Sequence, residues 1–200
     1  MDTAAGRAVV VYATLFGTTA RVAELVAAEL GALLGRAVTA IDLAALDLSG
    51  LPGHDLVVLG TSTWNFGELP PDLENRLPEL EALDLRGTAL ALFGVGDQLG
   101  YPDTFLDAVG IAAERLERTG ARLVGRWPAA GYAFAASLAL RGDELLGLAI
   151  DEDNEPELTA ARVVAWADLV VAEAGLAGAA PAEPLGMTRG APGLPGAPSR

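Results

Sequence analysis

A hydroxyl-rich turn, "TLFGTT" at residues 14–19, stands between an apolar run typical of a strand (8–13) and the first turn of a helical pattern. Its hydroxyls belong to Thr14, Thr18 and Thr19, and it contains no charged residue. The first amides of a helix have no intrahelical acceptor and lie at the positive end of the helix dipole, so such a turn suits a phosphate group. An ordinary helix cap on Thr18 or Thr19 would use the same residues, and the turn alone leaves both interpretations open.

Two further segments place aromatic side chains in polar surroundings. Trp64 lies among hydroxyls and an amide in "TSTWNFGEL", and Tyr101 follows Gly94 and Gly96 in "GVGDQLGYPDTF". A Trp in a polar loop either covers the sheet edge or stacks on a planar ring, and glycines permit close backbone approach. The second segment does not fit the dinucleotide motif GxGxxG, because position 99 is Leu. A phosphate turn with two aromatic loops therefore favours a planar ring with a phosphorylated tail.

Strand and helix patterns alternate along the chain. Strands are predicted at 8–13, 37–42, 55–61 and 89–95, with shorter candidates at 122–127 and 145–150, and helices are predicted from Thr19, over 104–120 and over 157–175. This alternation predicts a parallel sheet with helices on both faces. Ligands of such sheets bind beyond the carboxyl ends of the strands, which is where all three segments fall.

Composition limits the partners and the chemistry. The formal net charge of −14 argues against nucleic acid and anionic membranes and suits a partner with a basic face. The chain has no Cys and no Lys, which excludes disulfides, thiol nucleophiles and Schiff-base chemistry. With no secretory or membrane-spanning pattern, a cytoplasmic location is expected. Residues 1–175 are predicted to form one domain, and 176–200, with five Pro and five Gly, a flexible tail.

The sequence resembles the flavodoxins, and among them the long-chain type, over residues 7–175. "TLFGTT" is similar to the phosphate loop T-x-T-G-x-T of that family, "TSTWNFGEL" to the loop with the inner stacking Trp, and "GVGDQLGYPDTFLDAVG" to the loop with the outer stacking Tyr. "GLAIDEDNEPELTAARVVAW" is similar to the C-terminal segment of long-chain members, which also carry an insertion where residues 122–147 lie. Four motifs in this order make a specific match.

The resemblance implies a fold, a cofactor and a function. The fold is a three-layer, doubly wound α/β sandwich, flavodoxin-like, with a five-stranded parallel sheet and a long-chain insertion in strand five. The cofactor is noncovalently bound FMN, and the function is low-potential one-electron transfer between a reductase and an acceptor enzyme. The implied partners are redox proteins with basic faces, the chain is expected to be a monomer, and no catalytic or metal-ligating residue is implied.

The resemblance also assigns a cofactor site by position. Its residues are Thr14, Leu15, Phe16, Gly17, Thr18, Thr19, Ser62, Thr63, Trp64, Asn65, Phe66, Gly67, Val95, Gly96, Asp97, Gln98, Tyr101 and Asp151. The hydroxyl-rich turn holds the phosphate, Trp64 and Tyr101 flank the isoalloxazine ring, and the 65–66 peptide turns its carbonyl toward flavin N5 on reduction. The backbone of 96–98 lines the pyrimidine edge, and Asp151 lies where some members reach the ribityl chain.

Three residues depart from the family pattern. Phe16 stands where Thr or Ser is preferred, Val95 where Thr is common, and Ser62 where Pro is common. If position 16 faces the phosphate, Phe16 removes one hydroxyl donor, and Phe16→Thr should tighten FMN about fivefold. If Phe16 instead packs on the domain and organises the loop, the same substitution should loosen FMN.

Three other functions are compatible with parts of this pattern. An FMN-dependent quinone or NAD(P)H reductase has the same fold but leaves a substrate site over the ring, which Tyr101 would cover here. A signalling receiver domain needs acids after the first strand and a Lys after the fifth, and this chain has neither. A docking module without a cofactor would purify colourless.

Overall fold

The structure, a computed structural model, describes residues 6–176. The strands are β1 (Ala8–Tyr12), β2 (Ala40–Asp42), β3 (Leu56–Ser62), β4 (Ala89–Val95), β5 (Arg122–Val124), β6 (Trp127–Pro128), β7 (Leu140–Arg141), β8 (Glu144–Leu145) and β9 (Leu148–Ile150). The helices are α1 (Thr18–Leu34), α2 (Pro71–Glu81), α3 (Asp107–Leu116) and α4 (Thr159–Ala174). Short 3₁₀ turns cover Leu43–Ala45, Leu48–Gly53, Glu117–Thr119 and Pro156–Leu158.

The main sheet is parallel, with the order β2-β1-β3-β4-β5, and β9 also pairs with β4. Strand β5 pairs with the first half of β4, at 89–91, and β9 with its second half, at 93–95. Because β3 pairs with β4 along its whole length on the other side, β5 and β9 share one edge position of the sheet. Residues 125–147 leave the sheet between them and include the small antiparallel sheet β6-β8-β7.

Two apolar layers enclose the sheet. Helices α1 and α4 cover one face through residues such as Val26, Leu30, Val163 and Trp166. Helices α2 and α3 cover the other through residues such as Leu73, Leu77, Val109 and Leu116. Alternate residues of the central strands enter opposite layers, which explains why these strands are continuous apolar runs in the sequence. The predicted doubly wound α/β sandwich is confirmed.

Helix α2 has no counterpart in the sequence prediction. Leu73, Leu77 and Leu80 are its buried residues and recur at helical spacing, but the helix begins at Pro71 and contains Pro78. Pro is favourable in the first turn and unfavourable in the interior, where it lacks an amide donor. The internal Pro therefore explains why the sequence pattern did not indicate this helix, which forms the crossover connection from β3 to β4.

Several predicted boundaries also shift. Helix α3 begins at Asp107 rather than 104, α4 begins at Thr159 rather than 157, and the candidate strand 122–127 is two separate strands. The predicted tail, 176–200, lies outside the described residues except for Leu176, whose amide donates to the Val171 carbonyl at 3.0 Å. Within residues 6–176, none of the helices combines the length and apolarity needed to cross a bilayer.

Candidate cofactor site

A cleft of about 220 Å³ opens at the carboxyl edge of β1, β3 and β4. Its lining is Thr14, Leu15, Phe16, Thr18, Thr19, Ser62, Thr63, Trp64, Asn65, Val95, Gly96, Asp97, Tyr101 and Asp153. All of these except Asp153 belong to the site assigned from the sequence. The five assigned residues that do not line the cleft are Gly17, Phe66, Gly67, Gln98 and Asp151. The three segments singled out in the sequence therefore meet in one place.

The turn after β1 is built around Gly17. This residue is the N-cap of α1 with φ 89°, a left-handed conformation that Gly adopts without steric cost. Its amide donates to Thr14 Oγ1 at 3.0 Å, and its carbonyl accepts from the Arg21 amide at 3.0 Å. The alternative assignment of Thr18 or Thr19 as the cap is wrong, because no side chain caps this helix.

This turn has hydroxyl and amide groups that could donate hydrogen bonds to an anion. Thr14 Oγ1 already accepts the Gly17 amide, so its hydroxyl proton remains to donate elsewhere. The amides of Thr18 and Thr19 precede the first intrahelical donor, Arg21, and need an acceptor from outside the helix. Arg21 itself is ion-paired with Glu152 and is absent from the cleft lining. The turn therefore offers hydroxyl and amide donors without a cation.

Trp64 is held by a closed loop after β3. Its amide donates to the Glu68 carbonyl at 2.9 Å, and the Glu68 amide donates back to the Trp64 carbonyl at 2.8 Å. Trp64 Nε1–H donates to Ser62 Oγ at 2.8 Å, so the residue that departs from the family pattern fixes the indole edge. Asn65 and Gly67 have φ of 46° and 99°. The loop is thus a tight turn that presents the indole to the cleft.

Asp97 organises the loop after β4. Its Oδ1 accepts from the Gly100 amide at 2.7 Å, the Leu99 amide at 3.1 Å and Asn154 Nδ2 at 2.8 Å. The hydrogen bond from Gly100, with those from Asn154 and Leu99, lowers the pKa of Asp97 despite partial burial. Tyr101 donates its amide to the Asp97 carbonyl at 3.0 Å and keeps 53% of its surface exposed. The ionised Asp97 carboxylate thus orders the turn before Tyr101, and the Asp97 main-chain carbonyl holds Tyr101 itself at the mouth of the cleft.

Asp151 lies behind the wall of the cleft and is not among the residues that line it. It is fully buried, and it accepts from the amides of Gln98, Asp153 and Asn154 at 3.0–3.2 Å. Gln98 is also buried, and its Oε1 accepts from the Ala133 amide at 2.6 Å. Both side chains therefore support the wall from behind. The contacts of Asp151 with the ribityl chain and of the 96–98 backbone with the ring stay predictions.

Asp153, which the sequence analysis did not select, lines the cleft instead. Burial raises its pKa, and the negative charges of Asp97, Asp151 and Glu152 raise it further. No cation lies among the lining residues in the described part of the chain, which include two carboxylates, Asp97 and Asp153. The only sequence signal for Asp153 is its place in the acidic run "DEDN", which is equally typical of a solvated loop.

Asp107 connects three segments behind the Trp64 loop. Its Oδ1 accepts from the Leu138 amide at 2.7 Å, within the segment inserted between β5 and β9. A Cβ at Gly67 would lie 2.6 Å from its Oδ2, so only Gly fits there without a shift. The neighbouring Ala108 amide donates to Thr63 Oγ1 at 3.2 Å. Asp107 is 7% exposed, and this burial raises the pKa of its carboxyl group.

The raised pKa of Asp107 predicts a specific pH dependence of the free energy of unfolding. A carboxyl group whose pKa is higher in the folded state than in the unfolded state binds more protons when folded, so its contribution to stability falls as pH rises through that interval. Asp107→Asn should remove this fall and gain stability relative to the parent as pH rises above about 4, at about 1.4 kcal/mol per pKa unit of separation. Urea unfolding at several pH values measures the difference. Asp103→Asn, at an exposed position on the same segment, is the control, and parallel pH profiles for Asp107→Asn and the parent would contradict the prediction.

Fold and site together define the class of protein. A doubly wound parallel sheet with a hydroxyl-rich turn before α1 and two aromatic loops at its carboxyl edge is a flavin-type α/β architecture. Residues 10–166 match the flavodoxin family, and the chain belongs to that family.

Curated relatives and solved structures agree with this assignment. A flavodoxin of Synechococcus elongatus is 41% identical over 166 residues, which cover 82% of this chain and 96% of the relative. Flavodoxin 1 of Salmonella typhimurium is 43% identical over 159 residues, which cover 78% of this chain and 88% of the relative. Oxidised flavodoxin 2 from Bacillus cereus superposes with a TM-score of 0.64 at 28% identity, and the match covers 84% of this chain and 99% of that one. A Fusobacterium nucleatum flavodoxin bound to flavin mononucleotide, at 24% identity over 83% and 97% of the two chains, has the same fold with a TM-score of 0.77.

Proposed function

We propose that this chain is a low-potential one-electron carrier that binds FMN noncovalently in the cleft. The observation that carries the proposal is the meeting of the α1 turn, Trp64 and Tyr101 around one cavity. FMN supplies a redox centre that accepts and donates electrons singly. The protein supplies binding and electrostatics.

The cleft suits both ends of FMN. The phosphate would accept from the Thr14 hydroxyl and from the amides of Thr18 and Thr19, which have no intrahelical acceptor. The isoalloxazine ring would lie between Trp64 and Tyr101, with the 65–66 carbonyl as acceptor for flavin N5–H. Gly67, which follows this peptide at φ 99°, has no side chain to obstruct the turn of the peptide.

The charge of the site favours a low reduction potential. Reduction adds negative charge to the ring, and the lining offers the carboxylates of Asp97 and Asp153 but no cation among its residues. Like charges at close range in a partly desolvated cleft disfavour the added electron. The protein therefore makes FMN a strong reductant without a dedicated catalytic group.

The interrupted fifth strand supports the long-chain type. Residues 125–147 join β5 to β9 and include the β6-β8-β7 sheet, which lies outside the main sheet. Tyr132, within this segment, donates its hydroxyl to the Ala149 carbonyl at 2.7 Å and packs under the Arg162 guanidinium. The insertion is therefore anchored on β9 and α4, beside the wall of the cleft.

Anaerobic reduction of the purified protein tests the proposal. The protein should purify yellow, and stepwise reduction should give two separate one-electron midpoint potentials. A single two-electron step, with turnover of NAD(P)H in the absence of any added reductase, would favour the FMN-dependent reductase. Colourless protein that does not take up FMN would favour a docking module.

The net charge of −14 favours redox partners with basic faces. We propose that the chain meets these partners in the cytoplasm and as a monomer. Electron exchange with a basic haem protein should slow severalfold as ionic strength rises from about 0.02 M to about 0.3 M, because salt screens the attraction that steers encounter. Stopped-flow mixing measures the rate. A neutral small-molecule acceptor is the control, since its reaction has no steering to lose. A rate with the basic protein that does not change with salt would contradict this docking mode.

A further inference from the structure

Phe16 contacts Trp64 across the cleft mouth, which links the turn after β1 to the loop after β3. The two ring centroids lie 5.2 Å apart with an interplanar angle of 57°. Tilted pairs at this separation are favourable for aromatic rings. Phe16 therefore has a defined partner, although 84% of its surface is exposed.

The backbone of the turn explains why Phe16 projects outward. The Gly17 amide donates to Thr14 Oγ1 at 3.0 Å, which closes a short ring of backbone over residues 14–17. Leu15 and Phe16 lie at the outside of that ring and are 45% and 84% exposed. Thr14, Thr18 and Thr19, in contrast, are partly or fully buried. The donors of the turn thus face inward, and the Phe16 ring lies over the neighbouring loop.

The contact with Phe16 adds a second restraint on the Trp64 side chain. The Trp64 backbone is fixed by the paired hydrogen bonds with Glu68, and its indole Nε1–H donates to Ser62 Oγ. That hydrogen bond restrains rotation of the indole at its Nε1 edge. The Phe16 ring restricts this rotation from the side.

We propose that Phe16 is a positioning residue that acts on the flavin ring through Trp64, and not on the phosphate. The inference rests on the proposed function and specifies how the site recognises the ring. An aromatic side chain that is ordered before binding loses less conformational entropy when the flavin ring stacks on it. The chain thus has an aromatic support where a phosphate-binding hydroxyl was expected from the resemblance. Removal of Phe16 should therefore change the affinities for FMN and riboflavin by the same factor.

Affinity measurements on five variants, four single and one double, test the proposal. Phe16→Ala should weaken FMN and riboflavin equally, about three- to tenfold. Phe16→Thr should behave in the same way for both ligands. Leu99→Ala, which removes another exposed apolar side chain at the same edge but outside the cleft lining, should leave both affinities unchanged. In a Trp64→Ala background, Phe16→Ala should have little further effect, since its route to the ligand is already lost.

Two binding outcomes would overturn the proposal. A change in FMN affinity alone, above all a selective gain for Phe16→Thr, would show that position 16 faces the phosphate. If the changes in binding free energy caused by Phe16→Ala and Trp64→Ala add fully in the double variant, Phe16 does not act through Trp64.

Fluorine NMR of 5-fluorotryptophan-labelled, flavin-free protein separates this proposal from the proposed function. The Trp64 resonance, assigned by its loss in Trp64→Phe, should shift in Phe16→Ala and stay in place in Leu99→Ala. If that response occurs but no variant binds FMN, the proposed function fails and the Phe16–Trp64 contact stands. If FMN binds but neither the resonance nor the affinities respond to Phe16→Ala, the positioning role fails and the proposed function stands.

Discussion

FMN is expected to bind at least a hundredfold more tightly than riboflavin, which has the same ring but no phosphate. The turn after β1 offers the Thr14 hydroxyl and the amides of Thr18 and Thr19. A hydrogen bond to a charged group contributes about 1.5–3 kcal/mol net, so two such bonds give about 3 kcal/mol or more. That free energy corresponds to a factor of at least about 150. Fluorescence titration of the flavin-free protein with each ligand measures the ratio.

Substitutions at Thr14 assign this preference to the turn. Thr14→Val keeps the shape but removes the acceptor for the Gly17 amide and the free hydroxyl donor, so it should reduce FMN affinity about tenfold or more. Thr14→Ser, which keeps the hydroxyl, is the matched control and should retain most of the affinity. Riboflavin binding should change little in either variant. Equal affinities for FMN and riboflavin in the parent protein would refute the phosphate site itself.

Sequence patterns predicted the central elements because burial leaves a strong signal there. Strand β4 is found at the predicted residues, 89–95, since every residue in it is buried and the run is continuously apolar. The same argument located β1 and β3 within one residue at each end. Their carboxyl ends then fixed where a ligand site could lie, because the edge of a parallel sheet is set by topology alone.

Other features depend on contacts between distant segments and leave no local signal. Asp107 is defined by the Leu138 amide and by its approach to Gly67, which are 31 and 40 positions away. Whether Asp151 or Asp153 reaches the cleft depends on which carboxylate turns inward to accept backbone amides. The outward direction of Phe16 follows from the hydrogen bond between Gly17 and Thr14, a detail of the turn that its composition does not determine.

The phosphate turn and the ring site also differ in what a sequence can disclose. A hydroxyl-rich turn before a helix indicates its chemistry through residue types, since the backbone amides are present in any sequence. A stacking residue depends on the orientation of its ring, which the residue type does not determine. Trp64 and Trp166 have the same side chain, yet Trp64 lines the cleft, whereas Trp166 is fully buried with its Nε1–H on the Gly125 carbonyl at 2.7 Å.

Trp64→Ala should weaken FMN and riboflavin alike by roughly 1–3 kcal/mol, which is about 5- to 150-fold, on the scale of aromatic stacking against nucleobases. The indole lies at the cleft wall, oriented by Ser62 and flanked by Phe16, so its loss removes the stacking surface while the phosphate turn stays intact. Titration of both flavins measures the loss.

Trp64→Phe, which keeps a smaller aromatic face, should lie between the parent and Trp64→Ala. A thermal melt of each flavin-free variant serves as the control for folding. Its midpoint should change little, since Trp64 is outside both core clusters. Affinities that remain at the parental value would show that the ring does not stack on Trp64. Because the phosphate contributes to FMN but not to riboflavin, a loss that is equal for the two ligands assigns Trp64 to the ring, just as a loss confined to FMN assigns Thr14 to the phosphate.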